Sequence, residues 1–236
     1  KIREDQRVRS RGAMVGVGIN ENGQREVLGL MLGDTESEES WTAFFSWLKQ
    51  RGLHGVDLVV SDDHGGLVRA IRKQLQGVTW QRCQTHFMRN VLDAAPKALK
   101  EEIHQHVRTI LDAPDKRAAR LLLDQTLDKY SEKAPKAMHI LENGFDDVTA
   151  VLDLPDKYRQ RLRTTNSVER LNEEVRRRER VIRIFPNRES VVRLIGALMM
   201  ELDEKWATEK KYCDMAEYFE WRKNKQKTSA KVTRIM

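Results

Sequence analysis

The residues best placed for chemistry lie in Arg163-Thr164-Thr165-Asn166-Ser167-Val168-Glu169-Arg170-Leu171-Asn172, followed closely by Arg176-Arg177-Arg178. From Arg159 to Arg188 ten arginines face four glutamates with no lysine, so this window holds +6 of the chain's formal net charge of +7. Guanidinium groups fork onto phosphate oxygens, and a basic stripe of this density is the footprint of a nucleic-acid partner. A carboxylate inside it, with Glu173 one turn from Glu169, is suited to hold a divalent cation against a phosphate. The same spacing also suits an ordinary salt-bridged solvent face, and Asn166-x-x-Glu169 suits a helix-capping pair. Asp62 directly follows the apolar run Leu58-Val59-Val60, which puts its carboxylate at the carboxyl end of a buried strand, where α/β sheets bind ligands. Alternatively Asp62 or Asp63 caps the helix starting near Gly65. Cys83-Gln84-Thr85-His86 has metal-ligand spacing, but a zinc site takes about four ligands and no second Cys/His pair follows. These two residues therefore read as a packed thiol and a hydrogen-bonded imidazole.

The elements that must position these groups are legible in outline. Met14 to Ile19 and Val27 to Leu32, joined by Asn20-Glu21-Asn22-Gly23, predict a β-hairpin. Trp41, Phe44, Phe45, Trp47 and Leu48 recur at helical spacing in a segment ending near Gly52. Val56 to Val60 predicts a strand, Gly65 to Gln76 a helix and Val78 to Cys83 a second strand, an alternation typical of an α/β sheet. Beyond His86 the strand signal stops. Helices are predicted at Val91 to Ala95, Leu99 to Leu111, Ala118 to Tyr130 and Ala137 to Leu152, punctuated by prolines at 96, 114, 135 and 155. Helix is expected again at Ser167 to Arg180, where Val168, Leu171 and Val175 form the inward stripe, and from Arg188 to about Lys210. The tail from Arg222 to Met236 carries six Lys or Arg and no acid, and reads as a flexible basic extension.

With 236 residues the chain has room for one larger domain or a core fold carrying an insertion. Charged residues make up 33 %, which favours a soluble protein meeting a polyanion over a membrane or secreted one. The apolar runs are too short to span a bilayer, no export signal is visible, and two cysteines are too few for a disulfide framework. A cytoplasmic location and no membrane partner are expected.

Three ordered blocks, Ser61-Asp62-Asp63-His64-Gly65-Gly66-Leu67, Cys83-Gln84-Thr85-His86-Phe87-Met88-Arg89-Asn90 and Thr164 to Asn172, resemble the bacterial insertion-sequence transposases of the Mutator type. Arg180-Val181-Ile182-Arg183-Ile184-Phe185-Pro186-Asn187 continues the pattern, so the resemblance runs from about Lys1 to Met200. It implies an α/β fold, a ribonuclease-H-like core with a large all-α insertion before the last catalytic helix. The implied layout is 1–86 as the first part of the core, 87–158 as the insertion, 159–210 as the last part with the catalytic helix, and 211–236 as a basic C-terminal extension. Asp62 and Glu169 correspond to the second and third acids of an Asp-Asp-Glu metal site, and Cys83 and His86 match the family's Cys-x-x-His element. The family's first aspartate lies ahead of a Lys-x-Arg sequence that Lys1-Ile2-Arg3 matches, so the chain is expected to start after it. Neither Glu4 nor Asp5 replaces it, because Glu4-Asp5-Gln6 reads as the tip of a turn.

The implied activity is metal-dependent cleavage and strand transfer of DNA at the inverted-repeat ends of a mobile element. Two Mg²⁺ or Mn²⁺ ions are the expected cofactors, held by Asp62 and Glu169. His86 is expected to orient the scissile phosphate or a neighbouring strand, while the role of Cys83 stays open. Arg163, Arg170, Arg176, Arg177, Arg178 and Arg180 are expected to meet DNA, as are Arg89, Asn166 and Asn172. The partners would be terminal inverted repeats and target DNA, the assembly a homodimer or larger, and the location the bacterial nucleoid. A noncatalytic protein that occupies element ends, or a degenerate transposase fragment, is the alternative, and a ribonuclease on the same core is a third.

Overall fold

Apolar alternation, turn chemistry and proline punctuation shape a mixed α/β structure, a computed structural model that describes residues Lys1–Thr233 and side-chain burial as far as Lys225. In chain order it comprises β1 (Ile2–Glu4), β2 (Arg7–Arg9), β3 (Gly12–Ile19), β4 (Arg25–Gly33), α1 (Glu38–Gln50), β5 (Leu58–Ser61), α2 (Gly65–Gln74), β6 (Thr79–Arg82) and α3 (Gln84–Ala94). Then follow α4 (Lys100–Leu111), α5 (Lys116–Tyr130), α6 (Pro135–Asn143), α7 (Phe145–Val148), α8 (Asp156–Leu162), α9 (Asn166–Ile182), α10 (Arg188–Thr208) and α11 (Ala216–Thr233). Among the described residues the strands form three two-stranded pairs, β1 with β2 and β3 with β4 antiparallel, and β5 with β6 parallel. The chain divides into two compact units, one of Lys1–Leu53 with the chain from Arg170 onward, the other of His54–Glu169.

In the first unit the β3–β4 hairpin turns at Gly23, whose φ of +82° suits glycine, and a register shift at Gly16/Val17 interrupts its ladder. Alternation of side chains gives the hairpin two apolar faces. Val15, Val17, Val27 and Leu30 pack with Ile195, Leu198 and Met199 of α10, while Gly16 and Gly29 open space for Phe44 and Trp47 of α1. The Asp5-Gln6 turn joins β1 to β2 with both residues at positive φ, as expected for a hairpin tip. Glu4 beside it is tied to Arg11 and Arg188, and the hydrogen bond from Arg11 holds its carboxyl below the usual carboxylate range. The tail read as a flexible basic extension is instead helical from Ala216 to Thr233, with residues 234–236 outside those described. Its Ala, Glu, Lys, Gln and Arg content explains this, since these are strong helix formers.

The second unit sets the parallel pair β5–β6 beside α-helices. Their core holds Phe87 and Val91 of α3, Ile103, Val107 and Ile110 of α4, Leu123 and Tyr130 of α5, and Leu141 and Phe145 around the α6–α7 break. The single helix predicted from Ala137 to Leu152 is thus split at Gly144. A Cβ there would lie 2.4 Å from the Phe87 ring, so the backbone comes closer than any other residue allows. The fully buried Gln81 of β6 donates to the carbonyls of Arg82 and Val148 at 2.7 and 2.8 Å and accepts from the Val151 N–H at 2.6 Å.

Asp147, between these anchors, has its carboxyl pushed up by burial, which outweighs the opposing pull of Arg72. A carboxyl raised on folding keeps its proton in the folded chain at pH values where the unfolded chain has lost it, so it lowers stability as pH rises through that interval. Asp147→Asn is therefore expected to raise the urea midpoint at neutral pH, with the gain shrinking as pH is lowered toward about 4, near the ordinary aspartate value. A gain that is absent at neutral pH, or grows on acidification, would overturn this.

Candidate active site

Asp62 and Cys83 leave the same end of the β5–β6 pair. The pairing Ser61↔Arg82 ends the ladder, and the Cys83 N–H then donates to the Ser61 carbonyl at 2.7 Å, carrying the parallel hydrogen bonding one step further. Asp62 therefore emerges beside Cys83 at about one strand spacing, roughly 4.8 Å. Its side chain is exposed, and Oδ1 accepts from the His64 N–H at 3.3 Å. Neither aspartate caps α2. His64 holds that position, its Nδ1 accepting from the Leu67 N–H at 3.4 Å, because Asp62 folds back on the His64 amide in an Asx-type turn while the buried Arg82 draws Asp63 into a 2.9 Å ion pair.

Cys83 immediately precedes α3, and its side chain is fully buried. The prediction began this helix at Val91, but it starts at Gln84, so Cys83 and His86 flank its first turn three residues apart. The Gln84 N–H donates to the Arg163 carbonyl at 2.9 Å, bringing the segment before α9 alongside. There Thr165 approaches the Cys83 sulfur twice, with its N–H at 3.4 Å and its hydroxyl at 3.3 Å. That hydroxyl also lies 3.1 Å from Glu169 Oε1; having one proton, it serves the sulfur or the carboxylate at any instant. The Thr165 carbonyl accepts from the Glu169 N–H at 2.9 Å, so Glu169 sits in the first turn of α9.

Glu169 Oε1 meets His86 Nε2 at 3.3 Å, with the two side chains 38 % and 28 % exposed. His86 Nδ1 is buried without a hydrogen-bond partner. Cys83, His86 and Glu169 each offer one ligand atom within 4.8 Å of the others. Asp62 is not one of that trio. Two of these residues were legible as metal-ligand spacing and the third as a carboxylate among arginines. Thr165, which joins them, was missed; its only signal was a hydroxyl residue just before the helix start.

The basic residues differ in what they do within the protein. On α9 Arg170, Arg176 and Arg180 are exposed, as are Asn166 and Asn172, whereas Arg177 and Arg178 both bond to Glu174 and Arg178 also reaches Glu201. Arg163 is half-buried and bonded to Asp112 at 2.6 Å, and Arg89 is exposed on α3. Both cysteines are buried thiols. Among the described residues no helix is long and apolar enough to cross a membrane.

The profile of a family described as transposase, Mutator family, matches residues 1–209. The chain is 44 % identical over 208 residues to the transposase for insertion sequence element IS256 in transposon Tn4001 of Staphylococcus aureus, covering 87 % of this chain and 53 % of that protein. It is 40 % identical over 223 residues to the transposase for insertion sequence element ISRM5 of Rhizobium meliloti, covering 94 % and 56 %. With the transposase for insertion sequence element IS1081 of Mycobacterium tuberculosis the identity is 38 % over 212 residues, covering 90 % and 51 %. The chain spans about half the length of the curated relatives it matches.

Proposed function

We propose that this chain, which belongs to the Mutator family of transposases, carries part of the catalytic centre of a metal-dependent DNA transposase that cuts and joins strands at the inverted-repeat ends of a mobile element. The observation that carries this reading is the double approach of Thr165 to the Cys83 sulfur, which draws the first turn of α9, with Glu169, toward the strand end that Asp62 leaves. The element order of hairpin, helix, strand, helix, parallel strand and, later in the chain, the Glu169-bearing helix α9 supports a ribonuclease-H-like core, with α3 to α8 as the helical insertion.

The residues fit a hard divalent ion. Asp62 and Glu169 supply carboxylate oxygens, the donors Mg²⁺ and Mn²⁺ prefer, and both side chains reach solvent. These two acids would hold two such ions, whose chemistry when bound would be to activate a water or a 3′-hydroxyl and to stabilise a leaving oxygen. His86, whose Nε2 lies 3.3 Å from Glu169 Oε1, holds this carboxylate in place and faces a phosphate oxygen from the same side. Arg170, Arg176 and Arg180, exposed on α9, bind backbone phosphates, and Arg89 adds a further cation on α3. Arg177, Arg178 and Arg163 must exchange an internal carboxylate for phosphate to do the same. Joining two element ends calls for two protomers or more, with DNA ends and target DNA as the partners.

The test is Mg²⁺- or Mn²⁺-dependent nicking and joining of labelled element-end DNA by the chain extended upstream of Lys1, alongside Asp62→Asn. The extended protein is expected to cut, and the variant to bind with similar affinity without cutting. Equal binding by both with no cutting, under conditions where paired ends assemble, would favour a protein that only occupies element ends.

A further inference from the structure

Cys-x-x-His alone is half of a metal site, and the fold brings it a third ligand from the far side of the insertion. Cys83 Sγ, one imidazole nitrogen of His86 and a carboxylate oxygen of Glu169 lie mutually within 4.8 Å, with the His86–Glu169 pair at 3.3 Å. Around a zinc ion, with bonds of about 2.3 Å to sulfur and about 2.0–2.2 Å to nitrogen and oxygen, tetrahedral ligand atoms stand roughly 3.3–3.7 Å apart. The trio's present separations exceed this spacing by at most about 1.5 Å. We propose that Cys83, His86 and Glu169 form a three-ligand site for zinc, with a fourth position left to solvent.

The donor set selects the ion. A thiolate and an imidazole suit zinc, whereas magnesium and calcium take oxygen ligands and would leave both idle. Its surroundings suit a thiolate ligand as well: the sulfur already accepts from the Thr165 amide and lies within reach of its hydroxyl, an orienting shell of the kind that surrounds metal ligands. Cys83 is closed to solvent, but His86 and Glu169 are partly open, so an ion enters from their side and meets the sulfur last. Because Glu169 is also the acid assigned above to the catalytic ions, a step that rests on that assignment, zinc here withdraws it. Zinc and magnesium then compete for one carboxylate, which makes the Cys-x-x-His element a brake on the reaction.

Cobalt(II) reports the site directly, since a thiolate ligand gives a charge-transfer band and tetrahedral coordination gives intense visible bands. Titration of the chain with Co²⁺ is expected to produce both, at one ion per chain, with Zn²⁺ erasing them and excess Mg²⁺ not. Cys83→Ser should lose the charge-transfer band while Cys213→Ser keeps it, and Glu169→Gln should bind Co²⁺ at least about tenfold more weakly, of the order expected when a metal site loses a supporting group. His86→Gln, in a partly exposed position, provides the same test should Cys83→Ser fail to fold. Wild-type protein without the band, or a band that survives Cys83→Ser, overturns the site. A normal cobalt spectrum together with Mg²⁺-dependent nicking that zinc does not inhibit overturns the sharing of Glu169 and leaves the zinc site standing.

Discussion

Glu169→Gln is expected, on the catalytic role proposed above, to reduce Mg²⁺-dependent strand cleavage by at least about 10³-fold, since metal-assisted charge stabilisation is worth several kcal/mol and each 1.36 kcal/mol is a factor of ten. Binding of element-end DNA should change little. The reason lies in how Glu169 is held. Glutamine has the same length and keeps an oxygen within reach of the Thr165 hydroxyl and beside His86 Nε2, so the start of α9, which the Thr165 amide ties to Cys83, survives. What goes is the negative charge, which the proposed ions require and the hydrogen bonds do not. Melting temperature and DNA affinity should therefore match wild type while cleavage vanishes. Wild-type cleavage by this variant would remove Glu169 from the metal site, and a joint loss of folding and cleavage would make it a structural residue.

Phe87→Ala should be the most costly single truncation in the helical unit, lowering unfolding free energy by about 3–5 kcal/mol, the range for deleting a buried aromatic ring. Phe87 is fully buried, sits under the Arg82 guanidinium with 5.0 Å between the charge and the ring centre, and fills the space that Gly144 leaves by having no Cβ. The cavity would touch α3, the buried arginine and the α6–α7 break together, so little of it can collapse. Urea unfolding with an unchanged denaturant slope measures the loss. Met88→Ala, on the same turn but only partly buried, should cost less. Equal costs would mean that the ring does not hold this core.

The parts of the fold that local chemistry dictates were legible. Asn20 to Gly23 between two apolar runs could only be a hairpin turn, and prolines marked the helix starts near Pro96, Pro114, Pro135 and Pro155 because they cannot continue a helix inward. The errors came where a distant partner decides. Gly144 is a weak breaker within an apolar helical pattern, and only the ring of Phe87 makes it a break. The beginning of α3 hid behind polar Gln84, Thr85 and His86, because Gln84 is buried by its bond to the Val148 carbonyl rather than by apolarity. His64 capped α2 in place of an aspartate because Arg82, on the adjacent strand, claims Asp63. In the site, Cys83, His86 and Glu169 were each visible as types, but their meeting depends on Thr165, whose contact with a sulfur 82 positions away has no local signature.

Gln81 carries a consequence for motion. Its side-chain amide serves two carbonyls and one N–H, two of these partners lying in the 145–153 segment, and all of it is out of contact with water. Pulling that segment away would strand both ends of the amide and the Val151 N–H in a dry interior, at about 1–3 kcal/mol for each unmet group. Partial detachment is thus dearer per bond than full opening, where water meets every group at once. Hydrogen exchange should accordingly find β6 and the 145–153 segment sharing a single opening free energy, with the strand end that bears Cys83 as slow to expose its amides as the helical core behind it.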